Sequence, residues 1–317
     1  MIGKNLWQNL CRGLLALVST HFLLKRTHML RCLFTLARWA PDTASTLRVA
    51  AHMEDALALS FDDALVKARK HSAMFLVCKF LAPLYACMPL NAIDHIAAQY
   101  RFNIRGKQGC LVPSGGHLIA FMHTWDYWFG VMALMIQAGS SRTGTVVRFR
   151  LPDEQDDAVA QRMAHAGFSL TFIDGSSRSG LRQLMRSLRD GGLVFLFADF
   201  YPNDFRATPL RWFGRNARLP SGLLDIAALL KVPITIAETH IDDAFLEWVE
   251  LTPLVEQAGV TSPLEMQQLA TLLEQRIRAM PEQWRCWESF ETYFYAPISS
   301  AQRDVMRQIK KRSEKLA

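Results

Sequence analysis

The chain has 317 residues, 50% of them hydrophobic and 21% charged, which is ample for a large core in one domain or two small ones. Nineteen Phe, eight Trp, six Tyr and the absence of any internal repeat exclude a disordered chain and a solenoid. The net charge of +7 sits at the ends, with +6 in residues 1–41, +4 in 301–317 and −3 left for the body, unlike the basic face of a nucleic-acid binder.

Leu14–Leu24 (LLALVSTHFLL) is an eleven-residue run without charge, bounded by Arg12 and Lys25-Arg26. A bilayer-spanning helix needs about 20 apolar residues, and no small-residue cleavage site follows. The run therefore reads as a helix lying in a membrane interface, with its cations on anionic headgroups. The competing reading is a core helix with a few solvated bases. Residues 1–40 are expected to form a helical, membrane-associated annex, 41–300 an α/β domain, and 301–317 a basic tail.

Residues 1–100 read as helical, broken at Pro41, Pro83 and Pro89. From Arg101 short apolar runs alternate with amphipathic ones. His117–Met122, Thr145–Phe149, Ser169–Ile173, Leu193–Phe197 and Val232–Ala237 predict buried strands, and Phe245–Leu251 a further one. Helical patterns fall near 126–138, 154–166, 180–189 and 221–230. Ser262-Pro263-Leu264-Glu265 is a capping box opening a helix that ends before Pro281. The alternation predicts an α/β fold: a central mixed, mostly parallel sheet flanked by helices. Gly175-Ser-Ser-Arg-Ser-Gly180 has P-loop glycine spacing but lacks the Lys-Ser/Thr that must follow, and reads as a turn into a helix.

The six cysteines (11, 32, 78, 87, 110 and 286) form no CxxC pair and lie at no metal-ligand spacing from a histidine. They read as free buried thiols in a reducing compartment, with no metal and no cofactor implied.

His-x-x-Asp occurs three times, as His52/Asp55, His123/Asp126 and His240/Asp243. The middle pair alone follows a buried strand and opens a helix, with Thr124 as the expected N-cap. Ligand and catalytic groups of α/β proteins gather at the carboxyl ends of strands. A carboxylate beside an imidazole fixes its tautomer and stabilises the imidazolium formed when it takes a proton. His123 and Asp126 are therefore the candidate general base and its partner.

The order of segments resembles the late acyltransferases of lipid A biosynthesis (lauroyl and myristoyl transferases), within the lysophospholipid-acyltransferase superfamily. The resemblance runs from about residue 20 to 295 and rests on short motifs in sequence. These are the strand ending at His123, Val147-Arg148-Phe149-Arg150, Arg162 to Gly167, Ser177 to Gly192, Phe197-Ala198-Asp199, Trp212-Phe213-Gly214, and Met280-Pro-Glu-Gln-Trp-Arg-Cys-Trp287. It departs in one place: the family's acid, five residues after the histidine, is Trp128 here. Asp126 as a relocated partner is the favoured reading, beside an altered helix start or an impaired dyad.

The resemblance implies a glycerol-3-phosphate acyltransferase-like fold and an O-acyltransferase at the cytoplasmic face of the bacterial inner membrane. It would carry a fatty acyl chain from acyl carrier protein to a glycolipid hydroxyl. The acceptor would be a lipid A precursor or the lipid terminus of a capsular or other surface polysaccharide. In that reading His123 deprotonates the acceptor and Asp126 orients His123. Arg162 and Asp199 shape the site, Arg148 and Arg150 bind phosphate, and Trp125 and Trp128 line an acyl groove. The basic tail would dock the carrier or the membrane. An acyl thioesterase using the same histidine, and an inactive membrane adaptor, are the alternatives.

Overall fold

A computed structural model describes residues 26–38, 42–99, 103–106, 115–199, 207–255 and 266–294. The Leu14–Leu24 run, the Ser262–Glu265 capping box and the basic tail lie outside these residues. Among the described residues no helix is long and apolar enough to cross a membrane.

Four helices come first: α1 (Arg26–Arg38), α2 (Ala44–Leu57), α3 (Phe61–Cys87) and α4 (Ala92–Gln99). A Thr43–Thr46 capping box opens α2, satisfying backbone N–H groups that the first turn leaves without partners. Helix α3 runs through Pro83, so the break expected there does not occur, and the chain turns at Pro89 instead. An interior proline costs roughly 3 kcal/mol. Packing offsets it, because α3 joins two cores: Ala64 and Ala68 enter one, while Met74, Val77, Leu81 and Tyr85 enter the other.

A short strand that the sequence did not announce, β1 (Ile104–Gly106), precedes the alternation it predicts: β2 (His117–Phe121), α5 (Tyr127–Ala138), β3 (Gly144–Arg148), α6 (Glu154–His165), β4 (Leu170–Asp174), α7 (Arg178–Arg189) and β5 (Leu193–Phe197). A β6–β7 hairpin (Ala207–Trp212, Arg215–Pro220), α8 (Gly222–Leu230), β8 (Ile234–Ile241), β9 (Glu247–Val255) and α9 (Met266–Ala279) follow. Two 3₁₀ segments, Pro281–Gln283 and Arg285–Tyr293, end the described chain. The Gly175–Gly180 segment is a turn whose Ser177 caps α7 by accepting from the Gly180 N–H.

Seven strands form one sheet in the order β1-β9-β8-β2-β5-β3-β4, parallel except where β9 runs against β8. The central strands read HLIAF and LVFLF because both faces are covered, which removes the polar alternation of a half-exposed sheet. One face packs Leu118 and Ala120 against α2, α7, α8, α9, the hairpin and the aromatic 3₁₀ segments. The other packs Ile119 and Phe121 against α1, α5 and α6. The long helix α3 reaches both.

Candidate active site

Strands β2 and β5 pair in register from His117↔Leu193 to Phe121↔Phe197. Continuing that offset two residues past the strand ends sets His123 opposite Asp199. Asp199 Oδ1 lies 2.7 Å from His123 Nδ1, and Oδ2 accepts the His123 backbone N–H at 2.9 Å. The Trp284 indole N–H donates to the same Oδ2 at 2.7 Å, and the Tyr293 hydroxyl donates to the Asp199 carbonyl at 2.5 Å. Asp199 is fully buried, so these donors replace the water its charge has lost. The His123 ring stacks on Phe197 with centroids 3.7 Å apart, and its carbonyl accepts the Arg285 N–H at 2.6 Å. Burial opposes a charge on His123. The neighbouring Cys286 sulfur and the Asp199 carboxylate outweigh it and push the pKa up to about 10.

The carboxylate that holds the imidazole is therefore Asp199 and not Asp126. Asp126, instead of Thr124, is the N-cap of α5 and accepts the Trp128 N–H at 3.1 Å; its other oxygen accepts from the Tyr85 hydroxyl. A carboxylate at this position relieves two needs at once, the orphan N–H of the first turn and the helix dipole. Thr124 meanwhile bonds β8 through Thr239.

The remaining predicted residues divide between the site and its scaffold. Trp125 is buried, donates to Glu247 at 2.6 Å and stacks on Phe34, and Trp128 is buried against Phe172. Both are core residues, and neither is among those that border the cleft beside His123. Arg148 lies with its guanidinium carbon 5.0 Å from the Trp128 ring centre and 5.3 Å from that of Tyr127, and bonds Asp156 at 2.9 Å. Arg150 bonds Asp156 and Asp153 at the start of α6, away from the cleft that Arg148 borders. Arg162 donates to the Met88 and Ala158 carbonyls, fastening α6 to the end of α3, and does not pair with Asp199.

His123 opens on a cleft of about 580 Å³. Tyr127, Phe197 and Phe75 give it an apolar wall, while Arg48, Arg148, Arg285, Glu288 and Ser289 border the polar side. Among the described residues neither Arg48 nor Arg285 forms an ion pair, so two guanidiniums face the cleft with no fixed carboxylate. These two arginines lay unremarked in the sequence, because one sits in the helical region and the other inside an aromatic motif.

The cleft also contains Cys286. A His123 ring nitrogen, an Asp199 oxygen and Cys286 Sγ all lie within 4.8 Å of one another. The reading of the cysteines as buried core thiols fails here, since Cys286 is only partly buried, and it fails at Cys32, which is exposed. A His-Asp-Cys set has the right donors for zinc. Its Nδ1–Oδ1 separation of 2.7 Å, however, is that of a hydrogen bond, and both carboxylate oxygens already accept.

The other two His-x-x-Asp pairs are structural. His52 bonds the Trp287 carbonyl at 2.6 Å while Asp55 pairs with Arg215. His240 is buried near Glu238, and Asp243 pairs with Lys70. No protein-family model and no curated protein matches the chain.

Proposed function

We propose that the chain is an O-acyltransferase that carries a fatty acyl group from acyl carrier protein to a hydroxyl of a glycolipid. In fold it is of the glycerol-3-phosphate acyltransferase-like kind, related to the late lipid A acyltransferases, and its N-terminal segment holds it to the cytoplasmic face of the bacterial inner membrane. The acceptor is a lipid A precursor or the lipid terminus of a surface polysaccharide. The observation that carries this reading is the His123–Asp199 pair at the carboxyl ends of two adjacent parallel strands, opening on a cleft bordered by Arg48 and Arg285, which form no ion pair among the described residues.

Asp199 fixes Nδ1 and stabilises the imidazolium, so Nε2 is the atom that takes the proton of the attacking hydroxyl. Arg285 and Arg48 suit the phosphates of a glycolipid or of the carrier's phosphopantetheine, and Arg285 can face the charge that develops on the thioester oxygen. Phe75, Tyr127 and Phe197 offer apolar surface to the chain beside the thioester.

The test is release of carrier thiol from acyl carrier proteins of different chain length, with and without a glycolipid extract, the products being weighed by mass spectrometry. Acceptor-dependent release that disappears in His123→Ala is expected. Release that ignores the acceptor identifies a thioesterase, and no release with any donor contradicts the reading.

A further inference from the structure

Building on that acyl-transfer reading, we propose that Cys286 is a catalytic nucleophile, so that acyl transfer proceeds through a thioester on its Sγ. Three observations place it in this role. Cys286 borders the cleft, where a thioester donor must lie to reach His123. Its sulfur, a His123 ring nitrogen and an Asp199 oxygen lie within 4.8 Å of one another, so a nucleophile, a base and an acid share one site. The geometry is held from three sides: the Arg285 N–H bonds the His123 carbonyl, Trp284 bonds Asp199, and Thr124 bridges to Trp284. The segment that carries Cys286 is thus clamped to the strand end that carries His123.

The chemistry balances without any further reactant. In the first step Sγ bonds the acyl carbon, the bond from that carbon to the carrier sulfur breaks, and the Cys286 proton passes through His123 to the departing carrier thiolate. In the second step an acceptor hydroxyl gives its proton to His123 as its oxygen bonds the acyl carbon. The carbon–Sγ bond breaks and the proton returns to the cysteine–histidine pair. This order also answers a difficulty of direct attack. A histidine that the sulfur and Asp199 together hold protonated is a poor acceptor for the hydroxyl's proton. Acylation of Sγ removes one of those two influences just before the base is needed.

The experiment mixes purified full-length protein with acyl carrier protein thioester and no acceptor, then weighs the intact protein and its peptides. One acyl group on the Cys286 peptide, released by neutral hydroxylamine and discharged by glycolipid extract, is expected. Cys286→Ala should lose the adduct and slow transfer at least ~100-fold. Cys286→Ser, nearly the same size, should remain folded and form at most a slow, hydroxylamine-resistant ester. Alkylation of Cys286 by iodoacetamide near pH 7 should be slower in His123→Ala, a readout independent of any acyl donor. If Cys286→Ala transfers at the wild-type rate while His123→Ala does not, the covalent route is wrong and the transferase stands. If wild type releases no carrier thiol from any donor, both fall.

Discussion

Two histidine–acid pairs, one at the cleft and one in the core, lie near the same end of the sheet and have opposite characters. At the ends of β2 and β5, His123 and Asp199 are 2.7 Å apart, and every Asp199 oxygen meets a donor. On β8, Glu238 and His240 approach only to 3.7 Å, neither Glu238 oxygen has a hydrogen bond, and the nearest cation is Arg276 at 3.3 Å. Burial disfavours charge in both places. Without donors it prevails on β8, lifting Glu238 to about 7 and pressing His240 down to about 4. At His123 it loses to the neighbouring Cys286 sulfur and Asp199 carboxylate, which push the pKa up to about 10. Negative groups close to the ring, more than depth of burial, separate the first pair from the second.

The largest effect should come from the prepared pair. His123→Ala is expected to lower acyl transfer by about 10²–10⁴-fold, the usual worth of a positioned acid-base group, with the fold intact by circular dichroism. Asp199→Ala should in addition destabilise the protein by about 3–5 kcal/mol in denaturant titration, because it strands buried donors and leaves His123 without its counter-charge. Wild-type stability in this variant would break the contrast between the two pairs.

The pH dependence of stability separates the pairs further. His123 has a raised pKa in the fold, so its contribution is complete below its ordinary value of 6.5 and is lost as pH rises through about 10. Glu238 is also raised, so its contribution is complete below 4.5 and is lost as pH rises through about 7. Glu238→Gln should therefore flatten the lower window and leave the upper one. At pH 8 it should be more stable than wild type by up to roughly 3 kcal/mol. An unchanged lower window would show that Glu238 is better solvated than its surroundings imply.

Smaller effects should mark the cleft's edge. Arg285→Ala removes a guanidinium that has no counter-ion among the described residues, and is expected to raise KM for a phosphorylated acceptor by about 10- to 100-fold with a smaller change in kcat. An effect on kcat alone would move Arg285 from substrate binding to charge stabilisation at the thioester.

Much of this was legible in the chain. The continuous apolar runs of β2 and β5 announce strands covered on both faces, and a histidine directly after one of them marks a functional end. Asp199 was visible too, as the acid ending a strand. What the sequence hides is that β2 and β5 are neighbours, so that a residue 76 positions away stands opposite His123 while one three positions away turns behind it. Local spacing favours Asp126, but helix α5 needs an N-cap and takes it. Trp128, where the resembling family carries its acid, supports Arg148 from the core. Cys286 was hidden for the same reason as Asp199, since its partner is set by the packing of the 3₁₀ segments and not by spacing. Pro83 misled in the opposite direction, because two cores outweigh one local breaker.

The most direct test sets Asp199→Asn beside Asp126→Asn in the carrier-release assay with glycolipid acceptor. Asp199→Asn should lose transfer by about 10²–10⁴-fold, while Asp126→Asn, whose amide oxygen can still cap α5, should remain within a few-fold of wild type. The reverse order would return the role of orienting acid to Asp126 and contradict the His123–Asp199 dyad.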